Sequence, residues 1–327
     1  MLVAVIALAI AFDYINGFHD TANAIATSVA TRALDPRAAI AMATAFNFIG
    51  AFAGTAVAKT IGAGLVDETT SSQGVIAAAL IGAIAWNLLT WYYGLPSSSS
   101  HALIGGLFGA TLVAAGPAAF KVDGILQKVI FPMIASPIVG FFIALLLIII
   151  LFWVFFKAPR RLMTTIFRRL QIVSAGFMAF SHGSNDAQKT MGIITLALFS
   201  AGLISSNDVP WWVIVVAAAA ISAGTAVGGW RIMHTMGHRV VKLEPVHGFA
   251  AETTAASVII TAAHFGMPVS TTHVISSAIL GVGSARGVRG VRWGVARNIL
   301  LGWIITIPAS ATVAAVAWLL LHLVGLG

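Results

Sequence analysis

Two polar stretches with the same order of chemistry interrupt apolar sequence in this chain, and they constrain the fold more than any other feature. The first, GLPSSSSH, runs from Gly94 to His101, and the second, GMPVSTTH, runs from Gly266 to His273. Each places a glycine and a proline, which stop a helix, before a run of hydroxyls and a histidine. One such stretch alone is typical of a polar loop outside a membrane. Its recurrence predicts two copies of one structural unit.

The composition places this unit in a membrane. Of the 327 residues, 59 % are hydrophobic and 9 % are charged, whereas soluble domains carry roughly 25 % charged residues. The apolar runs are long and rich in alanine, isoleucine and leucine, which favours helices over a β-barrel. The absence of cysteine excludes disulfides and thiolate metal sites. The sequence therefore predicts an all-α integral membrane protein whose first segment is a membrane helix rather than a cleaved signal.

The repeated motifs divide the chain into two halves. We predict a first repeat over residues 1–156, a basic cytoplasmic linker over 157–170 and a second repeat over 171–327. Each half would hold a long segment with a central polar motif, a second apolar segment, a hairpin with the hydroxyl loop at its tip, and a last apolar segment. The predicted segments are Leu2–Ala30, Arg37–Ile61, the hairpin Ile76–Ala115 and Ile125–Phe156 (interrupted at Ser136–Pro137), and later Trp211–Met233, the hairpin Gly248–Ala285 and Asn298–Leu323.

The basic residues predict the orientation. If each half crosses the membrane an odd number of times, all of the 18 Lys and Arg residues except Lys59, Lys121, Lys128 and Lys189 fall on one side. The positive-inside rule makes that side cytoplasmic and puts both termini outside. This clustering in short loops is why the net charge of +8 indicates membrane topology rather than nucleic-acid binding. An odd number of crossings makes the halves inverted repeats, and it leaves open whether the hairpins are re-entrant or fully spanning.

The hydroxyl loops have the chemistry of an oxyanion site. A helix that begins within a serine run presents unpaired backbone N–H groups and the positive end of its dipole. Together with hydroxyl donors, these groups suit a small oxyanion. Hydroxyls and an imidazole at membrane depth also need a partner or a cavity. Each loop is therefore a candidate for binding a small anion.

Two carboxylates lie near the middle of matching segments. Asp20 belongs to the motif NGFHDTAN and Asp186 to HGSNDAQK, at corresponding positions, and carboxylates inside a membrane are rare and usually functional. One interpretation is that they cap helices broken at Gly17 and Gly183, where the break would free carbonyls for a cation. The other interpretation is that they ligate a coupling ion or take up a proton.

Three further residues add to this polar set. Lys189 stands where the first half has Asn23, and its ammonium would either form a structural ion pair with Asp186 or fill a site that would otherwise hold sodium. His19 would either relay protons, since imidazole titrates near neutral pH, or remain a neutral hydrogen-bonded side chain. Glu252 opens the second hairpin, where it would either lie at the membrane interface or take part in coupling.

The four motifs NGFHDTAN, GLPSSSSH, HGSNDAQK and GMPVSTTH, in this order over essentially the whole chain, resemble those of the inorganic phosphate transporter (Pit) family. The resemblance implies two inverted repeats with broken helices, and phosphate bound between the two hydroxyl loops. The implied phosphate-binding residues are Ser98, Ser99, Ser100, Ser270, Thr271 and Thr272. The implied ion-site residues are Asp20, Asn23, Asn185, Asp186 and Glu252. His19 and Gln188-Lys189 depart from the sodium-type signature and resemble the bacterial proton-coupled branch, for which a neutral divalent metal–phosphate complex is an alternative substrate.

We therefore predict a secondary transporter that imports inorganic phosphate by alternating access and cation symport, with the proton favoured as the coupling ion. Sodium coupling, and a sulfate transporter of the same build, remain alternatives, because hydroxyls and N–H groups bind either tetrahedral anion. No cofactor, resident metal or nucleic acid is expected. Enzymatic activity is not expected either, because an intramembrane hydrolase would have to use the adjacent Ser100 and His101 together, and adjacent residues on a helix point apart. The expected surroundings are the lipid bilayer of a bacterial plasma membrane, and homo-oligomerisation is left open.

Overall fold

The computed structural model describes residues 1–67, 70–285 and 287–327, and all regular elements in these ranges are helical. The helices are α1 (Leu2–Ala30), α2 (Pro36–Gly50), α3 (Ala56–Ala63), α4 (Gln73–Tyr93), α5 (Ser99–Ala115), α6 (Val122–Ile125), α7 (Phe131–Val154), α8 (Arg160–Ser200), α9 (Trp211–Val227), α10 (Trp230–His234), α11 (Pro245–His264), α12 (Thr271–Ser284) and α13 (Trp293–Leu323). A π-helical turn, Leu126–Ile130, joins α6 to α7, so that this helix runs without a break from Val122 to Val154.

Helix length and apolar composition confirm an all-α membrane protein. Within the described ranges, four helices are long and apolar enough to cross a membrane, and a fifth span results if the bent pair Trp211–Val227 and Trp230–Arg239 counts as one. The helices α7 and α13 present large exposed apolar side chains such as Phe142 and Ile304. In water such a surface would be costly, so these two helices are suited to contact lipid.

The two halves share their packing rather than forming separate bodies. Helix α5 packs against α13, and α12 packs against α7, so that an arm of each hairpin lies on the last long helix of the other half. Both apolar cores also draw on both halves. Matching backbone contacts recur, since isolated bridges pair Val66 with Phe120 and Val241 with Val291. The inverted relation of the halves stays a prediction.

The second apolar segment of each half is divided, where the sequence analysis has one helix. Residues 51–55 separate α2 from α3, and α9 meets Trp230–Arg239 at an angle of 61°. Gly228 lies at the second break with φ +80°, a backbone conformation that side-chain-bearing residues rarely adopt. These are the broken helices of the fold.

The two long helices that carry the acidic motifs are continuous, so the expected breaks at Gly17 and Gly183 are wrong. Helix α1 runs through Gly17 and α8 runs through Gly183. A Cβ at Gly17 would overlap the carbonyl oxygen of Ile221, and a Cβ at Gly183 would overlap that of Asn47. The glycines therefore serve close helix–helix contact, α1 against α9 and α8 against α2, rather than flexibility.

Two further expectations about helix ends need correction. Helix α7 is not interrupted at Ser136–Pro137, and α13 likewise contains Pro308. Helix α12 packs against α7, and packing by a neighbouring helix can offset the single hydrogen bond that a proline removes. The basic segment 157–170 is mostly helical, because α8 begins at Arg160.

The close contact at Gly17 leads to a stability prediction. Alanine normally stabilises a helix by about 1 kcal/mol relative to glycine. At Gly17, however, the added Cβ meets backbone of α9, and such overpacking costs typically 1–3 kcal/mol. We expect Gly17→Ala to lower the melting temperature of the detergent-solubilised protein.

Gly302 provides the matched control, because it lies within α13 with nothing near the position of an added Cβ. Gly302→Ala should leave the melting temperature unchanged or slightly raised. Equal melting temperatures for Gly17→Ala and Gly302→Ala would contradict the proposed role of Gly17 in helix contact.

Candidate functional site

Each hydroxyl loop ends one helix and begins another, as the sequence analysis predicts. Gly94 follows α4 with φ +64°, and Gly266 follows α11 with φ +66°. The new helices begin within the hydroxyl runs: the Ser98 hydroxyl accepts a hydrogen bond from the His101 N–H, and the Ser270 hydroxyl accepts one from the His273 N–H, both at 3.1 Å. Serine is among the residues best suited to this N-cap position.

The two loops meet inside the protein. Ser100 Oγ donates to the Val269 carbonyl at 3.1 Å. The rings of His101 and His273 are 4.6 Å apart in an edge-to-face arrangement, and all of these side chains are buried. The N-terminal ends of α5 and α12 therefore converge, and with them the unpaired N–H groups and positive dipole ends of two helices.

The hydroxyls that the resemblance assigns to phosphate differ in their present partners. Ser98 and Ser270 cap helices, and Ser100 bonds to backbone. Thr271 and Thr272 accept hydrogen bonds from the Asn23 amide at 3.3 and 2.9 Å. Ser99 is 1 % exposed, and its hydroxyl has no partner within the ranges that the structure describes. Ser99 is therefore the hydroxyl of this set that bonds to no described residue and keeps its full hydrogen-bonding capacity for a ligand.

Asp20 links α1 to both loops. His19 Nδ1 lies 2.7 Å from Asp20 Oδ1, and Thr272 Oγ1 donates to the same oxygen at 3.4 Å. His19 Nε2 lies 3.0 Å from Thr90 Oγ1, and Thr90 accepts from Ser97 at 2.9 Å. Since Thr90 lies in the last turn of α4, the first carboxylate contacts the second loop directly and the first loop through a histidine and a threonine.

Asp186 lies in a second buried cluster. Lys189 Nζ is 2.5 Å from Asp186 Oδ1, and both side chains are fully buried. His182 Nε2 and Asn16 Nδ2 lie 3.5 and 3.4 Å from Asp186 Oδ2. Asn185 Nδ2 donates to the Met267 carbonyl at 3.4 Å. The lysine thus forms the ion pair that the sequence analysis considers.

The carboxylates of the two halves converge on one point. Ligand atoms of Asp20, His182 and Asp186 all lie within 4.8 Å of one another. Two carboxylates and an imidazole at this spacing can share a small cation or a proton. His182 begins the motif HGSNDAQK, but it is not among the predicted site residues, because its role depends on the packing of α1 against α8.

Glu252 lies apart from this cluster, in the interior of the protein. It is completely buried in α11, about two helical turns beyond the α11 N-terminus. Ser174 Oγ and Gln171 Nε2 donate to it at 2.5 and 3.2 Å, and Thr27 also donates. Thr27 follows Asn23 by one turn of α1. None of these three donors is among the predicted site residues, although the polar character of Gln171, Ser174 and Thr27 in apolar surroundings is a signal that could have identified them.

Removing one partner of the ion pair between Lys189 and Asp186 should strongly destabilise the protein. Lys189→Met leaves a buried carboxylate without its cation, and removal of one partner of a buried pair costs roughly 3–5 kcal/mol. We expect a large fall in melting temperature for Lys189→Met. Because Asp186→Asn removes the orphaned charge, the double variant Lys189→Met/Asp186→Asn should be more stable than Lys189→Met alone.

The exposed pair of Lys59 with Asp208 is the matched control. These groups are 2.8 Å apart, but the side chains are 54 % and 75 % exposed. Exposed pairs contribute about 0–1 kcal/mol, so Lys59→Met should hardly change the melting temperature. A similar loss in Lys59→Met and Lys189→Met would contradict the interpretation of the buried pair.

Comparison with known proteins agrees with the fold and the motifs. The sequence profile described as the Phosphate transporter family matches residues 16–165 and 157–314. The "Probable low-affinity inorganic phosphate transporter" of Bacillus subtilis (strain 168) is 50 % identical, over 99 % of this chain and 98 % of the relative. A protein of the same description from Rhizobium meliloti (strain 1021) is 50 % identical, over 99 % and 97 %.

A solved structure, "The sodium-dependent phosphate transporter", has the same fold. It is similar to this chain with a TM-score of 0.85 and 26 % identity, over 98 % of this chain and 99 % of that structure. The family resemblance of the four motifs is thereby confirmed. This multi-pass membrane protein belongs to the phosphate transporter family.

Proposed function

We propose that the protein imports inorganic phosphate by cation symport, as a secondary active transporter that works by alternating access. The observation that carries the proposal is the meeting of two helix N-termini beside two buried carboxylates. Ser100 of the first loop bonds to the backbone of the second at 3.1 Å, and Asp20 accepts from Thr272 at 3.4 Å. An oxyanion and its coupling cation would therefore bind in direct contact, so that each balances the charge of the other.

The phosphate would lie between the first turns of α5 and α12. Backbone N–H groups, Ser99 and the hydroxyls of Thr271 and Thr272 would donate to its oxygens. Asp20 favours phosphate over sulfate, because a protonated phosphate oxygen can donate a hydrogen bond to a carboxylate and sulfate has no such proton. For the same reason we retain the family's substrate, phosphate, as the first candidate.

The proton is proposed as the coupling ion because the second carboxylate already has a tethered cation. A sodium ion at 4 Å from the Lys189 ammonium would be repelled by about 4 kcal/mol at an effective dielectric constant near 20. Asp20, His19 and Glu252 are the candidate proton carriers. Glu252 receives its three hydrogen bonds from neutral side chains, so a proton is the charge that can most directly neutralise it.

Sodium coupling is the second candidate, and two observations favour it. The spacing of Asp20, His182 and Asp186 suits a small cation. The solved structure with the same fold is named a sodium-dependent phosphate transporter. Sodium would then bind between the carboxylates on the side away from Lys189, with Asn23 and Asn185 as neutral oxygen ligands.

We further propose a plasma-membrane location with the two halves inverted, both termini outside and the basic loops inside, as the positive-inside rule predicts. In this arrangement the continuous helices α1 and α8 would hold the ion cluster while the hairpins carry the loops. Asymmetric labelling of single-cysteine variants would test it, since the native chain has no cysteine.

The contrast between two neighbouring serines tests the anion site. Ser99→Ala removes a hydroxyl that bonds to none of the described residues, so it should weaken phosphate binding without loss of stability. A lost hydrogen bond to a charged ligand is worth about 1.5–3 kcal/mol, which corresponds to a roughly 10- to 150-fold rise in the dissociation constant.

Ser98→Ala removes a helix cap and should instead lower stability by about 1 kcal/mol. Thermal unfolding and binding of radiolabelled phosphate would be measured for both variants. Wild-type phosphate affinity in Ser99→Ala would remove this serine from the site.

The coupling ion is tested by uptake into proteoliposomes with imposed gradients. We expect uptake to follow an inward proton gradient, to persist when potassium or choline replaces sodium, and to collapse with a protonophore. Asp20→Asn, which keeps shape but loses charge, should abolish gradient-driven uptake.

Lys189→Asn gives the second half the amide of the first half and should introduce sodium dependence. Wild-type uptake that requires sodium and ignores the proton gradient would overturn proton coupling in favour of the second candidate. Competition by sulfate at equal concentration would show the anion preference in the same assay.

A further inference from the structure

A separate cavity lies beside the tip of the first hairpin, outside the cluster described above. Its volume is about 380 Å³. The end of α4 forms one wall, and the helix that follows the bend after α9 forms the other. The side chains that define its chemistry are Tyr92, Tyr93, Arg231, His234 and Arg239.

This cavity is cationic, and no acidic residue is among the described residues of its lining. Arg231, His234 and Arg239 are all exposed and recur on one side of the helix, three to eight residues apart. Within the described ranges, the side chains of His234 and Arg239 make neither a hydrogen bond nor an ion pair, although the His234 ring stacks on His238. Their donors are thus free for a ligand.

Arg231 is held in place as part of the wall. One of its terminal nitrogens donates to the Tyr92 carbonyl at 2.5 Å. Its guanidinium carbon lies 5.3 and 5.1 Å from the ring centres of Trp91 and Tyr92. A guanidinium has five N–H donors, so this anchoring orients the group and leaves donors for the cavity.

Beside the second hairpin tip, the corresponding basic side chains already have partners. The two hairpin tips are tied in the same way, because Thr235 Oγ1 donates to the Gly94 carbonyl at 3.0 Å and Thr60 Oγ1 donates to the Gly266 carbonyl at 2.7 Å. Beside the second tip, however, Lys59 is paired with Asp208, and Lys128 Nζ bonds to the Phe265 carbonyl. The open cationic cavity therefore belongs to the first tip.

We propose that this cavity is a second anion site, which binds a phosphate group through Arg231, Arg239 and His234. Arginine is the side chain best matched to phosphate oxygens. The phosphate group would come either from free inorganic phosphate or from the headgroup of an anionic phospholipid, which basic clusters at the cytoplasmic ends of membrane helices attract.

A bound phosphate would bridge α4 to the helix that contains Arg231. The neighbouring Thr90 contacts both His19 and Ser97, so the anion would stabilise the present position of the first hydroxyl loop. The second anion site is thus adjacent in sequence to the first hydroxyl loop, but it uses different side chains. Its existence does not depend on which ion drives transport.

The test uses the double variant Arg239→Gln/His234→Gln, which alters exposed side chains that do not pack in the core. Arg231→Lys is the conservative second variant, since it keeps the charge and loses the two-point geometry. Lys128→Gln, at the second hairpin tip, is the matched control for the loss of a basic residue. All variants are first compared with wild type by size-exclusion chromatography.

In the first arm, delipidated protein is titrated with phosphatidylglycerol or phosphatidylcholine and followed by native mass spectrometry. In the second, the number of bound inorganic phosphates per chain is counted by equilibrium dialysis in neutral detergent. We expect the double variant to bind phosphatidylglycerol at least about tenfold more weakly, or to lose one of two phosphates. The first result identifies a lipid headgroup as the source and the second identifies free phosphate.

Ser99→Ala separates this site from the transport site, because it should weaken binding at the hydroxyl loops and leave the cavity unchanged. Lys128→Gln should behave as wild type in both arms, and Arg231→Lys should fall between wild type and the double variant. If the double variant binds phosphatidylglycerol and inorganic phosphate as wild type does, the second anion site does not exist.

Discussion

The cost of burying charge governs the interior of this protein. Asp186 is fully buried, and its carboxylate is held by the ammonium of Lys189 at 2.5 Å, with His182 and Asn16 close by. Without such partners an ionised carboxylate in this position would be several kcal/mol too costly. The close packing of α1, α2, α8 and α9 is what brings the partners together, and glycines at the contacts make that packing possible.

The same cost explains why the proposed transport site is built from helix ends. Two hydroxyl loops in an apolar interior leave N–H groups that no backbone acceptor satisfies, and the structure brings them face to face rather than exposing them to lipid. Ser98 and Ser270 satisfy part of each end, and the remaining donors have an anion as their natural partner. In the function that we propose, Asp20 supplies the place where a cation compensates the anion. Substrate and coupling ion would then be bound by adjacent groups.

Much of this arrangement is predictable from sequence, because the recurring motifs predict both hairpins, both helix starts and the two opposed carboxylates. The resemblance also identifies the family. What sequence does not predict depends on packing. The breaks lie in the second segment of each half and not at Gly17 or Gly183, since a glycine permits close contact as readily as flexibility. The partners of Glu252, including Gln171 and Ser174, and the place of His182 follow from α8 meeting α11 and α1, which no local pattern encodes.

The exchange of helices between the halves has an evolutionary consequence. Helix α5 lies against α13, and α12 lies against α7; glycines bring the backbones together, as where Gly109 meets Ala311 and Gly281 meets Phe141. A single copy of the repeated unit would expose the surfaces that its counterpart now covers. If the two halves descend from one repeated unit, an ancestral half-length protein would have covered these surfaces by pairing with a second chain. Gene fusion would then have joined two subunits that already depended on each other, and so allowed Asn23 and Lys189 to diverge.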